Sequence, residues 1–187
     1  MLRLAHMVAG FLIALAVICP ALAAVNDAVA NGFSVGQTLQ IAASPPQVYA
    51  QLIVPAHWWS SAHTFSHRAE NLILDAKAGG CWCEALPNGG SVQHLIVVNA
   101  VPGQSLVLRG ALGPLQGQGV DGALSITLKP MAGGTELSFT YNVGGYRKDG
   151  LQNFAAPVDR VLGEQMERLK SVLETGSPEP KTKGNVK

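Results

Sequence analysis

Regular alternation of apolar and polar residues begins at residue 33. Over 33–43, FSVGQTLQIAA, the apolar set is Phe33 and Val35, then Leu39, Ile41 and Ala43. That period of two predicts a strand, with Gly36 marking a bulge or bend. Ser44 then caps a short helix that opens with Pro45-Pro46 and carries Val48, Tyr49, Leu52 and Ile53. Pro55 breaks it, and 56–61 forms a second short turn of helix holding Trp58 and Trp59. Six further strands follow at 70–76, 81–86, 91–101, 105–111, 120–129 and 135–143. Gly79-Gly80, Pro87-Asn88-Gly89-Gly90, Pro102-Gly103 and 131–134 supply the turns between them. A glycine-containing loop, GPLQGQG, spans 113–119. In the last two strands Leu124, Ile126 and Leu128, then Leu137, Phe139, Tyr141 and Val143, share one face. Asp121, Ser125, Thr127, Glu136, Ser138 and Thr140 share the other, which predicts an antiparallel sheet with one dry side.

The period changes at 156–174. Val158, Val161, Leu162, Met166, Leu169, Val172 and Leu173 recur at intervals of three and four, the stripe of a long amphipathic helix. Asp159, Arg160, Glu164, Glu167, Arg168 and Lys170 fall mostly on its other side. Pro157 lies in the first turn, and Gly176 and Pro178 end the helix. The fold class is therefore α+β: a seven-stranded curved antiparallel sheet wrapped around a long C-terminal helix, with two short helices after the first strand. A curved sheet meeting a straight helix leaves a cavity between them, where small apolar ligands sit.

The ends differ from this middle. Arg3, the apolar run 7–19 and Ala21-Leu22-Ala23 read as a signal peptide, 1–23, cleaved after Ala23, with export to the periplasm or beyond. Ile18 before Cys19 does not suit lipidation. Residues 24–32 are a polar lead-in, 33–175 the domain, and 176–187 a tail expected to be disordered. The 187 residues carry a formal net charge of +1, and only 13% are charged. This balance gives no reason to expect nucleic acid or an anionic membrane surface as partner, and no stable membrane anchor remains once the leader is cut. Oligomeric state stays open, and no cofactor is expected. Neither G-x-S-x-G, H-E-x-x-H, a phosphate loop nor a Rossmann fingerprint occurs.

Several residues nevertheless carry possible chemistry. Cys81 and Cys83 lie two apart in a strand, where a disulfide would be a tight ring of poor geometry. Free half-buried thiols, a strained redox pair or half of a metal site are the alternatives, and buried small hydrophobes the plainest one. A mixed metal site of Cys81, Cys83, His94 and one of His57, His63 or His67 is conceivable, but the spacing matches no standard pattern, so no metal is expected. Glu84 shares a face with Trp82, opposite Cys81 and Cys83. If Glu84 or His94 faces the cavity, either could act as acid or base; otherwise they belong to an outer cluster of cross-strand pairs. An inward Arg109 could bind an oxyanion. Tyr141, on the dry face, needs a hydroxyl partner that a ligand could supply. One of Trp58 and Trp59 could stack on a ligand while the other packs in the wall. Tyr146 and Arg147 precede the long helix, near a cavity rim.

The chain resembles the START-like, or SRPBCC, helix-grip superfamily over about residues 33–173. Its carriers are the element order, Ser44-Pro45-Pro46-Gln47-Val48-Tyr49, Pro55-Ala56-His57-Trp58-Trp59, Gly79-Gly80 before Cys81-Trp82-Cys83-Glu84, Val101-Pro102-Gly103 and the closing helix. The superfamily includes pollen-allergen-like proteins, the polyketide cyclase/dehydrase and lipid-transport group, and activator homologues of a heat-shock ATPase. The resemblance implies a deep apolar cavity and no particular catalytic residue, since fold alone does not settle function. The expected function is binding of a hydrophobic or amphipathic small molecule, lipid or polyketide-like. The ligand-facing set would be Trp58, Trp59, His63, Cys83, Arg109, Phe139, Tyr141, Leu162 and Met166. The alternative is a cyclase/dehydrase-type enzyme with Glu84 and His94 as acid–base groups. A co-chaperone role is disfavoured by the leader, because that ATPase is cytosolic.

Overall fold

The computed structural model describes residues 24–179. The expected leader, 1–23, and most of the expected tail, 180–187, lie outside them. One open antiparallel sheet contains β1 (Ala24–Val29), β2 (Gly32–Ile41), β3 (Leu72–Leu74), β4 (Cys81–Ala85), β5 (Ser91–Val101), β6 (Ser105–Arg109), β7 (Gly119–Met131) and β8 (Gly134–Tyr146). Their order across the sheet is β1-β2-β8-β7-β6-β5-β4-β3. Helix α1 (Pro45–Leu52) follows β2, and α2 (Ala155–Thr175) closes the described chain.

The sheet has eight strands where the sequence reading has seven. The extra one is β1, in the segment read as a polar lead-in. It forms a hairpin with β2, pairing Val25 with Val35 and Val29 with Gly32. An edge strand is held by backbone hydrogen bonds and needs no apolar face, so Val25 and Val29 remain exposed and the alternation that marks a buried strand is missing. The strand expected over 70–76 shortens to β3, preceded by a 3-10 turn at Ala69–Asn71. The second short helix expected at 56–61 is replaced by 3-10 turns at Pro55–His57 and Ser61–His63, with Trp58 and Trp59 between them.

The dry face is where the alternation puts it. Leu124, Ile126 and Leu128 of β7 and Leu137, Phe139, Tyr141 and Val143 of β8 are buried, with Phe33, Val35, Leu39 and Ile41 beside them on β2. Leu162, Met166 and Leu169 of α2 pack into this cluster, while Val158, Val172 and Leu173 pack at its margin. Each fully buried aliphatic side chain contributes about 1.5–3 kcal/mol of burial. At Ser44 the Gln47 side chain accepts the backbone N–H at 2.9 Å and the hydroxyl at 2.7 Å, closing the α1 start. The last turn of α2 ends at Gly176, whose N–H returns to the Val172 carbonyl at 2.9 Å. Asp159 departs from the expected polar face: it is buried, and burial raises its carboxyl pKa. Glu179, inside the segment read as tail, accepts a hydrogen bond from Arg168 at 2.7 Å. Among the described residues no helix is long and apolar enough to cross a membrane.

Candidate ligand pocket

The cavity is narrower in placement than the sequence reading has it. The centre of the sheet–α2 interface is filled, with Phe139, Tyr141, Met166 and Leu169 at or below 2% exposure. Among the described residues, an open pocket of about 860 Å³ lies at the N-terminal end of α2. Its walls come from four segments: Trp59 to Phe65 after α1, His94 of β5, Leu112 to Pro114 after β6, and the run from Arg147 to Leu162 that leads into α2. Apolar side chains predominate: Trp59, Phe65, Leu112, Phe154, Val158, Val161 and Leu162. His63, Thr64, His94, Arg147, Asp149 and Asn153 are interspersed.

Trp59 is a lining residue, and its indole N–H donates to the His63 carbonyl at 2.9 Å. Trp58 is not; its N–H donates to the Gln51 carbonyl at 3.1 Å. Trp58, Trp59 and Trp82 pack edge to face, with centroids 5.1–6.2 Å apart, so the lining indole rests on two others. The Gln165 side chain of α2 accepts the Ser60 backbone N–H at 2.7 Å, and His63 pairs with Glu164 at 3.3 Å. Both contacts tie the 59–65 wall to α2.

Glu84 and His94 meet on the inner side of the sheet. His94 Nε2 lies 2.9 Å from the Glu84 carboxylate, and the two side chains are 8% and 0% exposed. Glu84 also accepts the backbone N–H groups of Phe65, at 3.1 Å, and Ser66. Burial by itself raises a carboxyl pKa, but the hydrogen bonds from Ser66, Phe65 and His94 outweigh it here and hold Glu84 below its ordinary value. Burial lowers the His94 pKa, and the neighbouring Glu84 only partly restores it. At neutral pH the pair is an ionised carboxylate and a neutral imidazole. An ionised carboxylate only accepts, so Nε2 carries the proton and Nδ1 keeps its lone pair. The outer-face alternative for these two residues is thus replaced by an inner dyad with His94 on the pocket wall.

A β-bulge produces this placement. Trp82 pairs with Leu95 and Cys83 with Gln93, so His94 is the extra residue of β5. His94 and Leu95 are then both buried, although strict alternation would turn one of them outward.

Other sequence candidates go elsewhere. Arg109 lies on the outer face and pairs with Asp121, so the oxyanion role considered for it has no place at the pocket. Alternation already contains that answer, since Leu106 and Leu108 face the core and the next odd position must face out. Cys83 is joined to Cys81 by a disulfide, with Cα atoms 5.4 Å apart. Of the alternatives left open for these two residues, the linked pair is the one found. It also dismantles the conceivable mixed metal site, because the half-buried, outward-facing cysteines hold each other while His94 points inward. Among the described residues no group of three metal-ligating side chains assembles. The Tyr141 hydroxyl donates to the Gly110 carbonyl at 2.9 Å and accepts the Leu112 N–H at 3.1 Å. Its partners are thus the backbone of the pocket wall, and burial pushes its pKa up to about 12. The ring lies against Gly122, where a Cβ would come within 2.6 Å of Cε2. Phe139 and Met166 are core residues, whereas His63 and Leu162 line the pocket.

The ligand-facing set read from the sequence omits Phe65 and Phe154, and it leaves Arg147 only near a rim, where the structure puts it on the pocket wall. Phe65 sits 5.9 Å from the His94 ring, and its Phe side chain in a polar serine- and histidine-rich loop was the signal. Arg147 and Phe154 stack, with the guanidinium 4.8 Å from the ring centroid.

No family model and no curated protein sequence matches the chain. Solved structures do. A protein from Rhodobacter sphaeroides is 20% identical over 83% of this chain and 99% of its own, with a TM-score of 0.56. CalU16 from Micromonospora echinospora is 14% identical over 87% of this chain and 88% of its own, at 0.54. DynU16, from the dynemicin biosynthetic locus, is 19% identical over 78% of this chain and 48% of its own, at 0.52. At such identities the likeness concerns fold: an antiparallel sheet with a C-terminal helix, consistent with the helix-grip arrangement.

Proposed function

We propose that this chain is an exported START-like domain that binds a hydrophobic or amphipathic small molecule in the pocket at the N-terminal end of α2. The observation that carries the reading is the pocket itself: about 860 Å³, mainly apolar walls and a few convergent polar groups. The fold likeness to CalU16 and to DynU16, the latter named from a biosynthetic locus, adds support for a small-molecule role. Export rests on the leader-like 1–23 segment. Native mass spectrometry of the chain purified from the periplasm without detergent, followed by solvent extraction, tests both parts. A processed chain with a stoichiometric organic adduct is expected. Absence of the chain from the periplasmic fraction would remove export, an unprocessed mass would remove cleavage after Ala23, and a chain that stays free of adducts and binds no apolar probe would remove the binding reading.

The Glu84–His94 dyad favours a second reading, a cyclase- or dehydrase-type enzyme. A neutral imidazole oriented by a buried carboxylate is the arrangement that accepts a proton from an activated C–H or O–H group. Glu84→Gln and His94→Gln separate the two. Unchanged ligand affinity with lost turnover of an extracted ligand marks an enzyme; equal behaviour of all three chains toward that ligand marks a carrier.

A further inference from the structure

Arg147 is the only lysine or arginine among the residues lining the pocket. It is held rather than free. Its guanidinium lies over the Phe154 ring, Nη1 donates to the Gly150 carbonyl at 3.3 Å, and the Gly150 N–H returns to the Arg147 carbonyl at 3.0 Å. Gly150, with φ 76°, closes this turn in a conformation that side chains with a Cβ rarely adopt. Nε–H is left buried, with no hydrogen-bond partner among the described residues. That donor is screened from the pocket, and a ligand oxygen would reach the guanidinium through the 27% of the side chain that is exposed.

The nearby acids do not fill that role. Asp149 lies 3.8 Å from Nη1, beyond hydrogen-bond distance, and its side chain is 74% exposed. Glu164 faces His63, and Glu84 is committed to His94 and two backbone N–H groups. The first turn of α2, which supplies Pro157 and Val158 to the same wall, carries no acidic residue, so the positive end of the helix dipole is not offset there. The rest of the wall is mainly aromatic and aliphatic, with His63, Thr64, His94, Asn153 and the largely solvent-exposed Asp149 as its polar members.

We propose that the pocket takes an amphipathic anion, with its carboxylate or other oxyanion head on Arg147 and its apolar body against Trp59, Phe65 and the Val158–Leu162 face of α2. This rests on the pocket being a binding site, and the test separates the two claims. The probes are 8-anilinonaphthalene-1-sulfonate and N-phenyl-1-naphthylamine, which share a ring system and differ by the anionic group. Fluorescence titration of the full chain at low ionic strength should show the sulfonate binding about tenfold or more tightly than the neutral amine. Arg147→Met keeps an apolar stem over Phe154 and should erase that difference while leaving the amine unchanged; Arg147→Lys should keep part of it. Val158→Trp should weaken both. Equal affinities in the unaltered chain, or a ratio that Arg147→Met does not change, would overturn the anion proposal and leave the pocket reading standing. If neither probe binds, or Val158→Trp alters neither, the pocket reading falls and the proposal with it. Should Arg147→Met fail to fold, the probe ratio in the unaltered chain and its loss with added salt decide the matter.

Discussion

Glu84 and Tyr141 are both buried and both hold backbone of the pocket wall, but they work differently. Glu84 anchors the 65–66 backbone and orients His94. Replacing it by Gln removes the charge and sets an amide donor against existing donors, so Glu84→Gln should destabilise the chain by about 2 kcal/mol, read from urea unfolding. The pH dependence has a definite sign. Both pKa values are lower in the folded chain than in free side chains, so the unfolded chain binds more protons on acidification. Stability should fall as pH drops below about 6.5, through His94, and again below about 4.3, through Glu84. Unfolding midpoints between pH 8 and 4 should show the first step in the unaltered chain and not in His94→Gln; a flat profile down to pH 5 contradicts this account. Tyr141 bridges Gly110 and Leu112, so Tyr141→Phe should cost about 1–2 kcal/mol and raise hydrogen exchange at the Leu112 amide.

At the scale of elements, the β4–β5 pair and α2 carry separate predictions. The Cys81–Cys83 disulfide encloses a single residue, and so short a loop removes little entropy from the unfolded chain. The double replacement Cys81→Ser and Cys83→Ser should therefore cost at most about 2 kcal/mol. A chain beginning at residue 24, which lacks Cys19, should resist thiol alkylation until a reductant is added; alkylation of that native, unreduced chain would show Cys81 and Cys83 unlinked. Leu169 of α2 has no exposed surface, and Leu169→Ala should cost about 2–5 kcal/mol in the same unfolding measurement. The His94 bulge belongs at this scale too. The strand was legible from Leu95 and Val97, but the shift that brings His94 to the inner side was not, because a bulge is set by how two strands pair and not by either one alone.

For the whole molecule, the α2 stripe and the dry face of β7 and β8 force the helix onto the sheet, and the filled interface between them moves the open space to one end. Four distant chain segments line it, so blocking any one should have a shared effect. Leu162→Trp, directed into the space from α2, should weaken apolar probe binding by at least about tenfold while the chain remains folded, as read by far-ultraviolet circular dichroism. Probe affinity unchanged by this replacement would place binding elsewhere.

Local periodicity determined most of the elements: it located α2 to within a residue at each end, seven of the eight strands, and the face that Trp82 shares with Glu84, though not that this face points inward, because burial of alternate or every third and fourth residue is written directly into the chain. The β1 edge escaped it, since backbone pairing leaves no such pattern. Which polar residues meet was decided only by the tertiary structure. The outward turn of Arg109 was already contained in its strand alternation, whereas the hold of Arg147 on the pocket, through its turn with Gly150 and its stacking on Phe154, was not. The Glu84–His94 contact likewise required a register shift between strands. Composition and spacing describe what each segment prefers by itself, whereas a site is a coincidence of several segments in space.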